Sequence, residues 1–190
     1  MNNQTYFIAV GYPMGRNQFE DDTFIIQLKD RLYKLNSLQH YVWQAAWQLG
    51  ERNKIEEVFN TYEDGKYKDG FRNILDEFKE VGLVIEIIPE SYEGLYQEIK
   101  NLCFDKQGVG IGFIPDEEEG IDAYAIELGN YIKVNLIQYL IWSKGNGVTS
   151  IDETVLELEN ALQIKNEDNL EEIILGIINL YSNKLIYFKG

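Results

Sequence analysis

Apolar positions along the chain follow two periods. Short runs in which they alternate or stand together, bounded by turn residues, occur at Thr5–Val10, Thr23–Leu28, Arg31–Leu35 and Leu83–Ile88. That pattern predicts strands. Lys29-Asp30 predicts a hairpin turn, Gly11–Asn17 reads as a loop, and Pro89 stops the last strand. Longer stretches place apolar residues three and four apart, which predicts helices. They are Ser37–Leu49 (with Leu38, Val42, Ala45, Ala46 and Leu49 on one stripe), about Asn53–Tyr62, and Lys68–Val81 (with Phe71, Ile74, Leu75 and Phe78). Asn36 sits where an N-cap belongs, and Gly50 and Gly82 are placed to end helices.

The same order returns further along. Leu32-Tyr33-Lys34-Leu35-Asn36-Ser37-Leu38-Gln39-His40-Tyr41-Val42-Trp43 aligns without a gap on Tyr131-Ile132-Lys133-Val134-Asn135-Leu136-Ile137-Gln138-Tyr139-Leu140-Ile141-Trp142, with Lys, Asn, Gln and Trp identical. Upstream, Phe7–Pro13 resembles Val109–Pro115, and downstream Ile55–Val58 faces Ile151–Val155. Gly129-Asn130 supplies the second hairpin turn, and Asn135 the second N-cap. Helices are expected near Leu136–Ser143, Ile151–Leu162 and Asn169–Asn183, then a strand at Leu185–Phe188. We read a tandem duplication. The expected fold class is α+β, as two winged-helix-like repeats, each with a small antiparallel sheet and three helices. The repeats would span 1–89 and 107–190, joined by a partly helical connector over 90–106 that includes Tyr92–Leu102.

Leu32–Asn36, Val42-Trp43, Ile55-Glu56-Glu57-Val58 and Phe78…Val81-Gly82-Leu83-Val84 together resemble the PqqD-like family, which includes the RiPP recognition elements. The second repeat keeps Tyr131–Asn135, Ile141-Trp142 and Ile151…Val155 but lacks the Gly-Leu ending. The resemblance implies a winged-helix-like fold, not catalytic alone, that takes an extended precursor peptide along a sheet edge beside the third helix. Carried onto this chain, it implies a peptide site on the strand around Arg31 and Tyr33, faced by Lys68, Phe71, Arg72 and Leu75. The basic residues would attract an acidic peptide. Against this stands a plainer reading, in which Phe71 and Leu75 are core and Lys68 and Arg72 a solvated face.

Composition narrows the classes. In 190 residues, 45% are hydrophobic and 13% aromatic, enough for packed cores. Lys and Arg number 17 against 32 Asp and Glu, a net charge of -15. That excess disfavours direct nucleic-acid binding and docking on an anionic membrane. The acids at the start of the last helix, Glu167, Asp168, Glu171 and Glu172, would repel phosphates and suit the positive end of a helix instead. One cysteine, Cys103, and one histidine, His40, leave no internal disulfide, no His/Cys zinc cluster and no Cys-His pair. No metal, cofactor or catalytic constellation is expected, so the chain reads as no enzyme. Asp116–Gly120 reads as a solvated hairpin loop. Trp43, Trp47 and Trp142 suggest a second buried surface, between the repeats or in a homodimer. No secretory signal or membrane span is read, and a cytoplasmic location is expected. The expected role is a non-catalytic peptide- or protein-binding module serving a peptide-modification or bacteriocin-type system. The alternative is a winged-helix-derived transcriptional co-regulator, of prophage type, acting through protein contacts.

Overall fold

In the computed structural model, which describes residues 5–17, 22–48, 51–62, 66, 68–114, 123–162 and 167–190, the first apolar run becomes β1 (Tyr6–Ala9). It pairs antiparallel with β5 (Val84–Ile87), Tyr6 opposite Ile87. Between them lie β2 (Tyr12–Arg16), β3 (Phe24–Leu28) and β4 (Arg31–Leu35), forming a meander in that order. Three helices follow: α1 (Ser37–Gln48), α2 (Arg52–Thr61) and α3 (Lys68–Val81). Then come α4 (Tyr92–Ile99), β6 (Cys103–Lys106), β7 (Val109–Ile114), β8 (Ala123–Leu128), β9 (Asn130–Val134), α5 (Leu136–Lys144), β10 (Asn146–Ser150), α6 (Ile151–Leu162), α7 (Glu167–Ser182) and β11 (Ile186–Lys189). The fold is α+β. The chain divides into two compact units, Met1–Ser91 with Phe188–Gly190, and Tyr92–Tyr187. The segment expected as a connector carries α4 and β6, both part of the second unit. Gly50 and the acidic run Asp116–Gly120 lie outside the described residues.

Two expectations are corrected. Gly11–Asn17 is not a loop: it contains β2. Its pattern is hidden because the register shifts between Pro13 and Gly15, so an inserted residue breaks the alternation. A proline is tolerated there because β2 lies at the sheet's edge. The upstream alignment was also misplaced. β7 takes the place in its meander that β2 takes in the first, so Val109–Pro115 does not lie where the Phe7–Pro13 run does. The pairings fix this: Tyr12 faces Gln27 and Gly15 faces Ile25, while Val109 faces Glu127 and Gly112 faces Ala125, with the same shift before each second glycine.

Other features coincide at matched positions. Asn36 and Asn135 each close a capping box. The Gln39 N–H donates to Asn36 Oδ1 at 2.9 Å and the Asn36 N–H to Gln39 Oε1 at 3.0 Å. The Gln138 N–H donates to Asn135 Oδ1 at 2.8 Å and the Asn135 N–H to Gln138 Oε1 at 3.1 Å. Trp43 Nε1 donates to Val10 O at 3.3 Å, and Trp142 Nε1 to Gln107 O at 2.8 Å. α2 begins with the Arg52 N–H on Thr5 O, α6 with the Ile151 N–H on Leu102 O. After α3, Gly82 takes the left-handed conformation (φ 78°) and the Leu83 N–H returns to Phe78 O. After α7, Lys184 takes it (φ 60°) and the Leu185 N–H returns to Leu180 O. Lys184 thus takes after α7 the left-handed conformation that Gly82 takes after α3, and unlike glycine it does so with strain.

Each unit has its own core. In the first, α1 packs on α3 and β1, and Phe7, Val42, Trp43, Ile55, Phe59, Phe71 and Leu83 are buried. In the second, α5 packs on α7 and β8, and Phe104, Ile126, Ile141, Ile173, Ile177 and Leu180 are buried. β10, like β2 and β6 a strand not expected from the sequence, pairs with β6.

Candidate functional site

The site begins from the helical spacing of α2 and α3. On α2, Ile55 and Phe59 are four apart and face inward, while Arg52 and Glu56 flank them toward solvent. On α3, Phe71, Leu75 and Phe78 form the buried stripe, with Arg72, Asp76 and Lys79 beside it. β5 adds Glu86 and β1 adds Phe7. These elements enclose a cleft of about 180 Å³ whose floor is Phe7, Ile55, Phe59 and Leu75. All four are buried against the core.

The rim is a chain of alternating charges. Arg72 lies 4.0 Å from Glu56, Glu56 3.2 Å from Arg52, Arg52 3.4 Å from Glu86, Glu86 3.0 Å from Lys79, and Lys79 2.6 Å from Asp76. The Lys79 ammonium titrates above its usual range, first through its hydrogen bond to Asp76 and then through Glu86, with burial opposing. Partly exposed pairs of this kind contribute little stability each, on the order of 0.2–1 kcal/mol. Their effect is to hold six long side chains in place around an apolar floor.

The equivalent groove in the second unit differs in one respect. The helix starts match at 52 and 151, which moves Ile55 from Ile151, where the sequence set it, to Thr154; counting from there and from the helix ends (78 to 180), Arg52, Glu56, Arg72, Asp76 and Lys79 fall at the positions of Ile151, Val155, Ile174, Ile178 and Tyr181. All five are apolar or aromatic, and all but the half-buried Ile178 are buried. The helix α4 packs on α7 there, with Leu95 and Ile99 buried. Its Tyr96 hydroxyl donates to Asp152 at the start of α6. Burial and that carboxylate raise the Tyr96 pKa well above its ordinary value. The Asp152 N–H in turn donates to Lys100 O at 2.9 Å.

The residues singled out from sequence fall in different places. Arg72 and Leu75 line the cleft. Phe71 does not: it is fully buried and ringed by Tyr41, Phe59 and Tyr62 at 4.5–5.7 Å. Lys68 opens α3, and its side chain lies outside the described residues. Arg31 and Tyr33 lie on β4, at the other edge of the meander from β2, and are not among the residues lining the cleft. Trp43, Trp47 and Trp142 are 1%, 7% and 5% exposed, which leaves no indole face for a second copy. Lys106 lies 5.1 Å from the Trp142 ring centroid. His40 stacks on Phe24 at 3.7 Å, and burial lowers its pKa. Tyr139, its counterpart, stacks on Tyr124 at 4.9 Å. Cys103 Sγ sits 3.1 Å from Val148 O. Sequence reasoning missed Arg52, Glu56, Lys79 and Glu86. The i, i+4 spacing of Arg52 and Glu56 was the available signal.

Among the described residues no three His, Cys, Asp or Glu side chains gather as a metal site, and no helix is long and apolar enough to cross a membrane. Comparison with protein-family models, with curated proteins and with solved structures found no match to this chain.

Proposed function

We propose that the chain is a non-catalytic module that binds a short segment of a peptide or protein in the cleft of its first unit. One observation carries the reading: in the second unit the positions that match this rim are apolar and α4, a short amphipathic helix, packs on α7, while in the first they are charged and line a cleft. The protein thus contains its own example of how a segment with two aliphatic side chains four apart lies on this surface. The alternating rim suits a segment carrying charges of both signs on either side of that pair. The matched caps, bulges and tryptophans favour an origin by duplication of a winged-helix-like unit. Together with the likeness to PqqD-like recognition elements, this makes a cytoplasmic peptide-modification system the natural setting.

Selection of random twelve-residue peptides on the full-length protein tests this. Enriched peptides should carry Leu, Ile or Val at i and i+4, should shift the methyl signals of Ile55 and Leu75, and should bind at least about tenfold more weakly to the Arg52→Ala/Arg72→Ala variant. Peptides that instead perturb Tyr33 and Lys34 on β4, or a library without enrichment, would contradict it.

A further inference from the structure

The ion pairs along the cleft form an open chain whose two ends differ from its middle. Glu56, Arg52, Glu86 and Lys79 each stand between two groups of opposite sign. Among the described residues, Arg72 has only Glu56 and Asp76 only Lys79. The Arg72 contact, at 4.0 Å, is the longest in the chain, and Glu56 lies nearer to Arg52, at 3.2 Å. The two ends are one helical turn apart on α3, a spacing at which opposite charges on one helix can meet. They do not pair: Asp76 turns to Lys79. Both line the cleft, with Leu75 of its floor between them in sequence. Their side chains are 48% and 65% exposed, so a bound segment can reach each.

A segment laid on the apolar floor takes water from the rim. The four inner charges keep two partners each when that happens. The two end charges lose hydration, and unless the segment replaces it they oppose binding. A guanidinium with unspent N–H donors calls for a carboxylate, and a carboxylate with unspent lone pairs calls for a cation. Side chains four positions apart on any helix stand about 5–6 Å apart at Cβ, so a helical segment can meet both ends at once.

We infer that the bound segment carries one acidic and one basic residue four positions apart beside its aliphatic pair, the acid on Arg72 and the base on Asp76. This rests on the cleft reading above and adds to it the two residues that select the partner's charges. The order of acid and base then sets the direction in which the segment crosses α3.

The test is a library of twelve-residue peptides with Leu fixed at positions 5 and 9 and the other positions random. It is selected on the full chain, on Asp76→Lys and on Arg72→Glu. The parent should enrich peptides with one acid and one base four apart, Asp76→Lys peptides with two acids, and Arg72→Glu peptides with two bases. A mixed pair also favours the peptide's own helix, so the switch between proteins is the deciding result. For the best peptide of the parent, replacing its acid by Gln should weaken binding about threefold or more in the parent, and less than about 1.5-fold in Arg72→Gln. An unchanged circular dichroism spectrum shows that each variant is folded. Enriched peptides that shift the methyl signals of Ile55 and Leu75 but carry the same charges on all three proteins overturn the inference and leave the cleft reading standing. A library without enrichment on any of them removes the cleft reading, and the inference with it.

Discussion

Trp43 and Trp142 illustrate what a matched residue does. Each buries its ring and spends its single N–H on the carbonyl that follows the unit's first strand, Val10 or Gln107. Trp142→Phe keeps most of the ring but orphans the Gln107 carbonyl, so urea unfolding should show a loss of about 1–3 kcal/mol. No loss would mean that water replaces the bond. His40 supplies a second residue-scale prediction. Its folded pKa is lowered by burial from 6.5. Below 6.5 the unfolded chain therefore binds more protons than the folded one, and stability falls as pH drops from 6.5 through the folded pKa. The loss is at most ~1.4 kcal/mol per pH unit. His40→Tyr, which installs the residue found at Tyr139, should lack this loss when urea unfolding is compared at pH about 7.5 and about 5.5. An identical pH dependence in both proteins would exclude His40 as its source. At this scale the sequence disclosed which residues recur but not their work. Phe71 and Arg72 are neighbours on α3, yet one is core and the other rim, and only the packing of Tyr41, Phe59 and Tyr62 around Phe71 separates them.

Elements with strong local signals were legible. Asn36, Asn135 and the apolar stripes placed α1, α3, α5 and α6 within a residue or two, because caps and helical spacing act within one turn. Elements that owe their shape to distant partners were not. β2 contains Pro13 and a bulge, and its alternation is lost. β10 reads Asn-Gly-Val-Thr-Ser and is held by its irregular pairing with β6 and by Asn146 Oδ1, which accepts the Val148 and Thr149 N–H groups at 2.9 and 2.8 Å. The caps lead to a test: Asn36→Ala and Asn135→Ala should each cost about 1 kcal/mol in chemical denaturation, and equal stability to the parent would deny the boxes a role. The sheet–helix contact leads to another. A Cβ at Gly110 would stand 2.7 Å from the Tyr139 hydroxyl and 2.8 Å from the Trp142 ring. Gly110→Ala should therefore lose about 1–3 kcal/mol through overpacking. Gly112→Ala meets no atom and pays only for its left-handed backbone (φ 90°). A smaller loss at Gly110 than at Gly112 would mean that α5 is free to move away from β7.

At the scale of the whole molecule, two units share caps, bulges and helix ends but treat one groove differently. In the second unit the matching positions are apolar and α4 packs on α7; in the first they carry a chain of charges along an open cleft. The order of elements was readable along the chain, since each hydrophobic period is local. The cleft was only partly readable. Its six charges come from α2, α3 and β5, and nothing in their spacing shows that they join in one chain of pairs. The contrast with the second unit depends on where α4 lies, which no periodicity encodes. The correspondence of the two grooves is the claim on which the functional reading rests. It is tested by replacing the rim of the first with that of the second: Arg52→Ile, Glu56→Val, Arg72→Ile, Asp76→Ile and Lys79→Tyr in one chain. A labelled synthetic peptide spanning residues 91–102 is then titrated against that variant and against the parent by fluorescence anisotropy. Saturable binding to the grafted chain, with at least about tenfold weaker binding to the parent, is the predicted result. A folded graft that does not bind the peptide would contradict the account.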